Sequence, residues 1–177
     1  AVRHPRVEYR VAPAEASGLP EAAVDLITVA QALHWFDLDR FYIEARRVLK
    51  PGGVLAAWSY GVLAVAGEAV DARVRTFYRE TVGPYWPPER RHVESGYRTL
   101  PFPFAEREVP EFHMEAFWNL LELLGYFRSW SATARYLAER GHDPVAALAA
   151  ELAPLWGSPG DRRRIVWPLA ARVGYVP

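Results

Sequence analysis

The stretch VDLITVAQALHWFDLDRF, Val24 to Phe41, decides the fold. Val24 to Val29 is nearly all apolar and β-branched, the composition of an interior strand of a parallel sheet covered on both faces. The run ends on Gln31, His34, Trp35 and Asp37 before a helical pattern begins. From Asp37, an expected N-cap, Phe41, Ala45, Val48 and Leu49 fall on one face of a helix that stops at the breaker sequence KPGG. A second strand, VLAAWSY, follows. Strand, helix and strand in close succession make a βαβ unit, which is expected to be right-handed.

On the N-terminal side, Val7, Tyr9 and Val11 alternate with Glu8 and Arg10, the period of a strand with one covered face, and SGLP reads as a turn. On the C-terminal side, Val70, Val74, Phe77 and Tyr78 keep helical spacing. The Pro- and aromatic-rich stretch from VGPYWPPERR to LPFPF reads as an ordered loop. FHMEAFW alternates as a strand. Leu120 to Trp130, Ala132 to Arg140 and Pro144 to Trp156 read as short helices, the last capped by Asp143 with Pro144 at its first position. RRRIVWPLAARVGY reads as a final strand, which Pro168 would place at an edge or on a bulge. The expected architecture is an α/β sheet with a helical elaboration before an antiparallel last strand pair. The chain is read as one domain, with an α/β part over 1–61 and helices and last strands over 62–177.

Composition removes several function classes. Lysine plus arginine equals aspartate plus glutamate, 21 each, so the chain advertises neither nucleic acid nor an anionic membrane as partner. Arginines are dispersed; the cluster Arg162 to Arg164 is too short for a binding track and reads as a solvated strand entrance. Cysteine is absent, which excludes disulfides and thiolate metal sites. No apolar run approaches the ~20 residues of a membrane span, and a soluble, cytoplasmic protein is expected. The chain opens on Ala1 with Met114 as its single methionine, and reads as a piece of something longer.

Motifs narrow the chemistry further. There is no G-x-G turn before a helix, no G-K-[ST], no H-x-x-x-H and no G-x-S-x-G, so phosphate loops, zincin metal sites and a hydrolase nucleophile are unsupported. Ligands of open α/β sheets bind beyond the carboxyl ends of the strands. Here that end carries Ala30, Gln31, His34 and Trp35, either as a site or as a cap on the sheet.

The segment VAPAEASGLPEAAVDLITVAQALHWFDLDRFYIEARRVLKPGGVLAAWSYG resembles the second half of a class I S-adenosylmethionine-dependent methyltransferase, of the type 11 group that includes trans-aconitate methyltransferase-like proteins. The matching elements are APAEASGLP after the third strand of that fold, VDLITVAQALHWFD as the fourth strand and its loop, and LKPGGVLAAW leading into the fifth. The resemblance implies a Rossmann-like sheet and S-adenosylmethionine as cofactor, with S-adenosylhomocysteine as product. It implies that Ala14 and Glu15 border the adenine, where the family's usual preceding Asp is Pro13 here, and that Ala30 and Gln31 border the methionyl part. His34, Trp35, Trp58 and Tyr60 would face the methyl group and a small-molecule acceptor, His34 as base or positioning group. Trp86, Tyr97, Trp118 and Trp130 are read chiefly as core packing, with closure over the acceptor as the alternative.

The family opens with a glycine-rich strand turn and a second strand ending in an acid, and neither precedes Ala1. The chain is therefore read as an N-terminally incomplete domain, with its fourth-strand edge exposed or covered by another chain through edge pairing or homodimerisation. The 177-residue chain alone is expected to bind the cofactor weakly or not at all and to lack activity. The rival readings are a non-catalytic α/β binding or self-association domain and, less favoured, a nicotinamide-dependent enzyme.

Overall fold

The computed structural model describes residues 4–158 and 160–176. In chain order the elements are β1 (Val24–Ala30), α1 (Leu38–Val48), β2 (Leu49–Tyr60), β3 (Ala64–Val65), α2 (Glu68–Thr76), α3 (Arg90–Glu94), β4 (Ala105–Arg107), β5 (Phe112–Trp118), α4 (Leu120–Arg128), α5 (Ser131–Arg140), α6 (Pro144–Trp156) and β6 (Arg163–Tyr175). They fall into two units. The first holds the chain through Ser59, Tyr97–Pro110 and the chain from Ala171 on; the second holds Tyr60–Gly96 and Glu111–Ala170.

In the first unit the βαβ reading holds: β1 pairs in parallel with β2, from Val24 opposite Leu49 to Ala30 opposite Trp58. The register shifts between Val24 and Leu26, where Lys50-Pro51-Gly52-Gly53 inserts residues into β2. Pro51 has no amide to give the ladder, and Gly52 takes a left-handed φ of 75°. Helix α1 begins where Asp37 accepts a hydrogen bond from Arg40 N–H, the N-cap arrangement. It buries Phe41, Tyr42, Glu44, Ala45 and Val48. The C-terminal part of β6 pairs antiparallel with β4, Glu106 opposite Gly174. A side chain at Gly174 would press on Phe102 and Phe104, whose nearest atoms lie 2.8 and 2.7 Å from the position of a Cβ.

Two sequence expectations are corrected here. Val7 to Val11 forms no strand, and Val7, Tyr9 and Val11 are exposed; alternation marks a strand only where a neighbour completes the ladder, and among the described residues β1 ends the strand order with no partner on its far side. Nor is β1 covered on both faces: Val29 is buried, but Leu26 is 55% exposed.

In the second unit, the N-terminal part of β6 pairs antiparallel with β5 on one side and β3 on the other. Pro168 thus stands in an interior strand. Its carbonyl accepts from Gly61 N–H at 2.8 Å, just beyond the short β3 ladder, so its missing N–H falls where no carbonyl of β3 awaits it. The core of this unit gathers Val70, Val74, Phe77, Leu123, Phe127, Leu148, Leu152, Trp156 and Ile165. Helix α4 starts on a capping box in which Asn119 and Glu122 bond each other's backbone. The expected helix end at Trp130 moves to Arg128, and the loop before β4 contains the short helix α3. Arg163 is no solvated entrance residue. It donates to the carbonyls of Ala66, Leu155 and Trp156 and lies over the Trp156 ring at 5.1 Å. Among the described residues no helix is long and apolar enough to cross a membrane.

Glu44 supplies a test of the first unit. Its carboxylate accepts from Ser17 N–H and Oγ–H at 2.9 and 2.6 Å and from Arg47 at 2.8 Å; the bonds from Arg47, then Ser17, pull its pKa down to about 2. A depressed carboxylate stabilises the fold above its unfolded pKa, and that contribution is lost as pH falls through the folded value. Glu44→Gln is therefore expected to cost about 1–3 kcal/mol at pH 7. The melting curves of variant and parent should converge as pH falls from about 4.3, the ordinary glutamate value, toward 2. In the second unit, Trp156 is buried and donates its Nε1–H to Asp161 O at 2.9 Å. Trp156→Ala is expected to cost about 3–5 kcal/mol in denaturant unfolding.

Candidate functional site

In the first unit β1 ends at Ala30, opposite Trp58 of β2. One rung beyond Ala30, Gln31 N–H donates to Trp58 O at 2.8 Å, and Gln31 then turns with φ 52°, a left-handed conformation that costs a non-glycine residue about 1–3 kcal/mol. The strained turn ends the strand and sends the chain into a short 3-10 turn, Leu33–Trp35. Leu33 is fully buried and pins that turn. His34 and Trp35 follow this anchor, their rings 4.7 Å apart, with Trp35 59% exposed.

His34 is held from a second direction. Its Nδ1 lies 3.0 Å from the hydroxyl of Tyr97, a fully buried residue whose backbone is also left-handed, at φ 64°. Arg172 fixes that backbone. It donates to Tyr97 O at 3.1 Å and Leu100 O at 2.7 Å, pairs with both oxygens of Glu106 at 2.9 and 2.8 Å, and lies 4.5 Å over the Phe102 ring. Hydrogen bonding to Arg172 holds the Glu106 carboxyl below its ordinary pKa.

The Ala14–Glu15 turn approaches the start of α1. Glu15 accepts from Asp37 N–H at 3.0 Å, so its side chain serves the entry of the helix. Two residues on, Ser17 is anchored to Glu44. Between this segment, β1 and α1 lies a cavity of about 380 Å³, lined by Ala14, Ser17, Leu19, Ala30, Phe36, Phe41, Glu44, Ala45 and neighbouring β1 residues. Its volume is within the range of small-ligand sites. Ala14 and Ala30 share this cavity, while Glu15 and Gln31 are outside its lining. The walls suit the apolar parts of a nucleoside or thioether. Among the described residues, the one carboxylate of the lining, Glu44, is committed to Ser17 and Arg47, so the lining gives no acid to a ribose.

Trp58 lies in the same unit, half-buried opposite Ala30. Tyr60 and Trp130 belong to the second unit and pack on its core. Trp130 stands 4.7 Å from Phe127, 5.4 Å from Trp86 and edge-on to Tyr78 at 5.7 Å. Trp86 and Trp118 also pack there half-buried, and the Trp86 indole N–H is buried with no hydrogen-bond partner among the described residues. Sequence reasoning missed Glu44, the Tyr97 contact with His34, and Arg172. Glu44 had a visible signal, an acid spaced three residues from Phe41 on the apolar face of α1; the other two depend on contacts distant in sequence.

A family model described as a methyltransferase domain matches residues 1–57. A solved structure described as a type II methyltransferase, from Anaeromyxobacter dehalogenans, is 51% identical and superposes with a TM-score of 0.92, covering 99% of this chain and 74% of that one. A Dictyostelium discoideum protein described as a methyltransferase is 37% identical over 145 residues, 80% of this chain and 55% of its own length. An uncharacterized methyltransferase of Schizosaccharomyces pombe is 43% identical over 54 residues, 30% of this chain and 22% of its own length. The chain thus spans about half the length of the amoebal relative. Its parallel β1–α1–β2 unit and these similarities place one conclusion beyond the individual residues: the chain belongs to the class I S-adenosylmethionine-dependent methyltransferases of the type 11 group.

Proposed function

We propose that this chain serves S-adenosylmethionine-dependent methyl transfer to a small-molecule acceptor. In this reading Ala14, Glu15, Ala30 and Gln31 border the cofactor, and His34, Trp35 and Trp58 stand on the acceptor side. The observation that carries it is the rung between Gln31 N–H and Trp58 O, which sets Ala30 and Gln31 beside Trp58 at the carboxyl end of β1, with His34 and Trp35 on the turn that follows, where ligands of such sheets bind.

The bound cofactor supplies a methyl group already activated on a sulfonium. The protein's residues then have to orient the partners and keep water away. Leu33 anchors the turn that presents His34 and Trp35. The faces of Trp35 and Trp58 can attract a cationic sulfur by cation–π interaction, worth ~0.5–2 kcal/mol. Ala14 and Ala30 leave room along the cavity wall for a flat group.

The lining of that cavity gives no acid to a ribose, and the sequence contains no G-x-G turn, so this chain alone is expected to bind S-adenosylhomocysteine with a Kd of about 1 mM or weaker and to show no turnover. Amide shifts recorded against millimolar S-adenosylhomocysteine should move at Ala14, Glu15, Ala30 and Gln31. Equal shifts with a nicotinamide dinucleotide, or shifts that bypass those four residues, would sink the reading.

A second reading, self-association through the open edge of β1, is favoured by the position of β1 at the end of the strand order and by the exposed Leu26. It predicts a dimer in sedimentation velocity that Leu26→Lys weakens at least tenfold; a monomer at all concentrations removes it.

A further inference from the structure

We propose that Arg90 anchors an oxyanion-binding site in the second unit, suited to a small molecule that presents a carboxylate or a phosphate. The site lies wholly within that unit and is separate from the residues assigned to the cofactor.

The guanidinium is held from two directions. Arg90 and Glu94 stand one turn apart on α3, so their side chains leave the same side of the helix, and both meet the Tyr78 hydroxyl. Tyr78 donates its proton to Glu94, and its oxygen accepts from Arg90 Nε–H at 3.0 Å. Burial, and then the bond to Glu94, push the Tyr78 hydroxyl up to about 12. Tyrosine therefore keeps its proton at neutral pH, and because arginine has no acceptor the direction of both bonds is fixed.

Aromatic rings set the other direction. The guanidinium carbon lies 4.7 Å from the centre of the Trp86 ring and 5.7 Å from that of Tyr78. Trp86 is itself wedged between Tyr78 at 5.5 Å and Trp130 at 5.4 Å. Its indole N–H bonds nothing among the described residues, so ring contacts place it, and it serves as a platform for the cation.

What this arrangement leaves open is the far edge of the guanidinium. Nε uses one of the five N–H donors of an arginine. Among the described residues the four on the terminal nitrogens have no acceptor, and Arg90 forms no ion pair. The other half-buried arginines that lie over rings differ in this respect. Arg163 gives its terminal nitrogens to the carbonyls of Ala66, Leu155 and Trp156, and Arg172 gives its own to two carbonyls and Glu106. A terminal fork of this kind matches two oxygens of a carboxylate or phosphate through parallel charge-assisted bonds. A neutral ligand would leave the charge uncompensated. Because Tyr78 and Trp86 already fix the fork, binding costs it little rotamer freedom.

The test titrates the full chain with inorganic phosphate and, separately, with malonate, at an ionic strength held constant with chloride so that screening is matched. Nitrogen-15 spectra should show saturation by at least one of the two anions, with a Kd of about 1 mM, and the Arg90 Nε–H and Trp86 indole signals should move together. The tighter of the two anions identifies the class of ligand. Shifts that stay linear for both anions, or saturation that leaves Arg90 and Trp86 unmoved, overturn the proposal, and this needs no variant to fold. Arg90→Lys keeps the charge and gives up the fork, and should weaken binding about tenfold or more; unchanged affinity in that variant also overturns it.

Discussion

The parallel pairing of β1 with β2 is the constraint on which the first unit depends. Parallel neighbours need a crossover, and α1 supplies it with a face of Phe41, Tyr42, Ala45 and Val48 turned inward. The Pro51-Gly52-Gly53 irregularity absorbs the change of register near the start of the ladder, between Val24 and Leu26. Past it the rungs run uninterrupted to Ala30 and Trp58. β1 therefore ends opposite Trp58 of β2, and Gln31 can add a last bond to Trp58 O before it turns away. Shorten either strand and the turn bearing His34 and Trp35 loses its support.

A buried acid extends this constraint to the segment ahead of β1. Glu44 sits on the apolar face of α1, where an uncompensated carboxylate would be costly. Ser17 and Arg47 satisfy it together, and Arg47 also reaches Leu19 O at 2.8 Å. Residues that form no helix or strand are thus held against α1 by charge-assisted hydrogen bonds. Glu15 does the same at the helix entry by taking the Asp37 amide.

The elements that were legible in the sequence are those whose signals are local. Asp37 as cap, the stripe from Phe41 to Val48 and Pro144 after Asp143 all act within a few residues, and the structure places them as read; Leu49 and the KPGG segment, read as helix face and helix stop, instead begin β2. The misreadings share a different cause. Alternation at Val7 to Val11 states that a strand could form, yet a strand exists only with a neighbour. Pro168 looks like an edge residue until its carbonyl is seen meeting Gly61 and its N–H position is seen to lie past the end of β3. Arg163 looks solvated because its carbonyl partners are spread over Ala66, Leu155 and Trp156. Around the candidate site, the 30–37 turn was readable as the end of β1 and the entry of α1, whereas Tyr97 and Arg172 reach their partners from segments no periodicity connects to β1.

The polar groups near the carboxyl ends of β1 and β2 are largely spent on holding that region together. Glu15 is used on Asp37, Glu44 on Ser17 and Arg47, the Gln31 amide on Trp58, and Nδ1 of His34 on Tyr97. A reaction that needed an acid and a base there would find its candidates already engaged. Displacement at a sulfonium methyl makes a smaller demand, since the leaving group departs neutral and an acceptor with its lone pair in place requires only alignment and a dry approach. In the proposed reading, anchored rings on a pinned turn would meet that demand through rigidity, which two left-handed residues help to set.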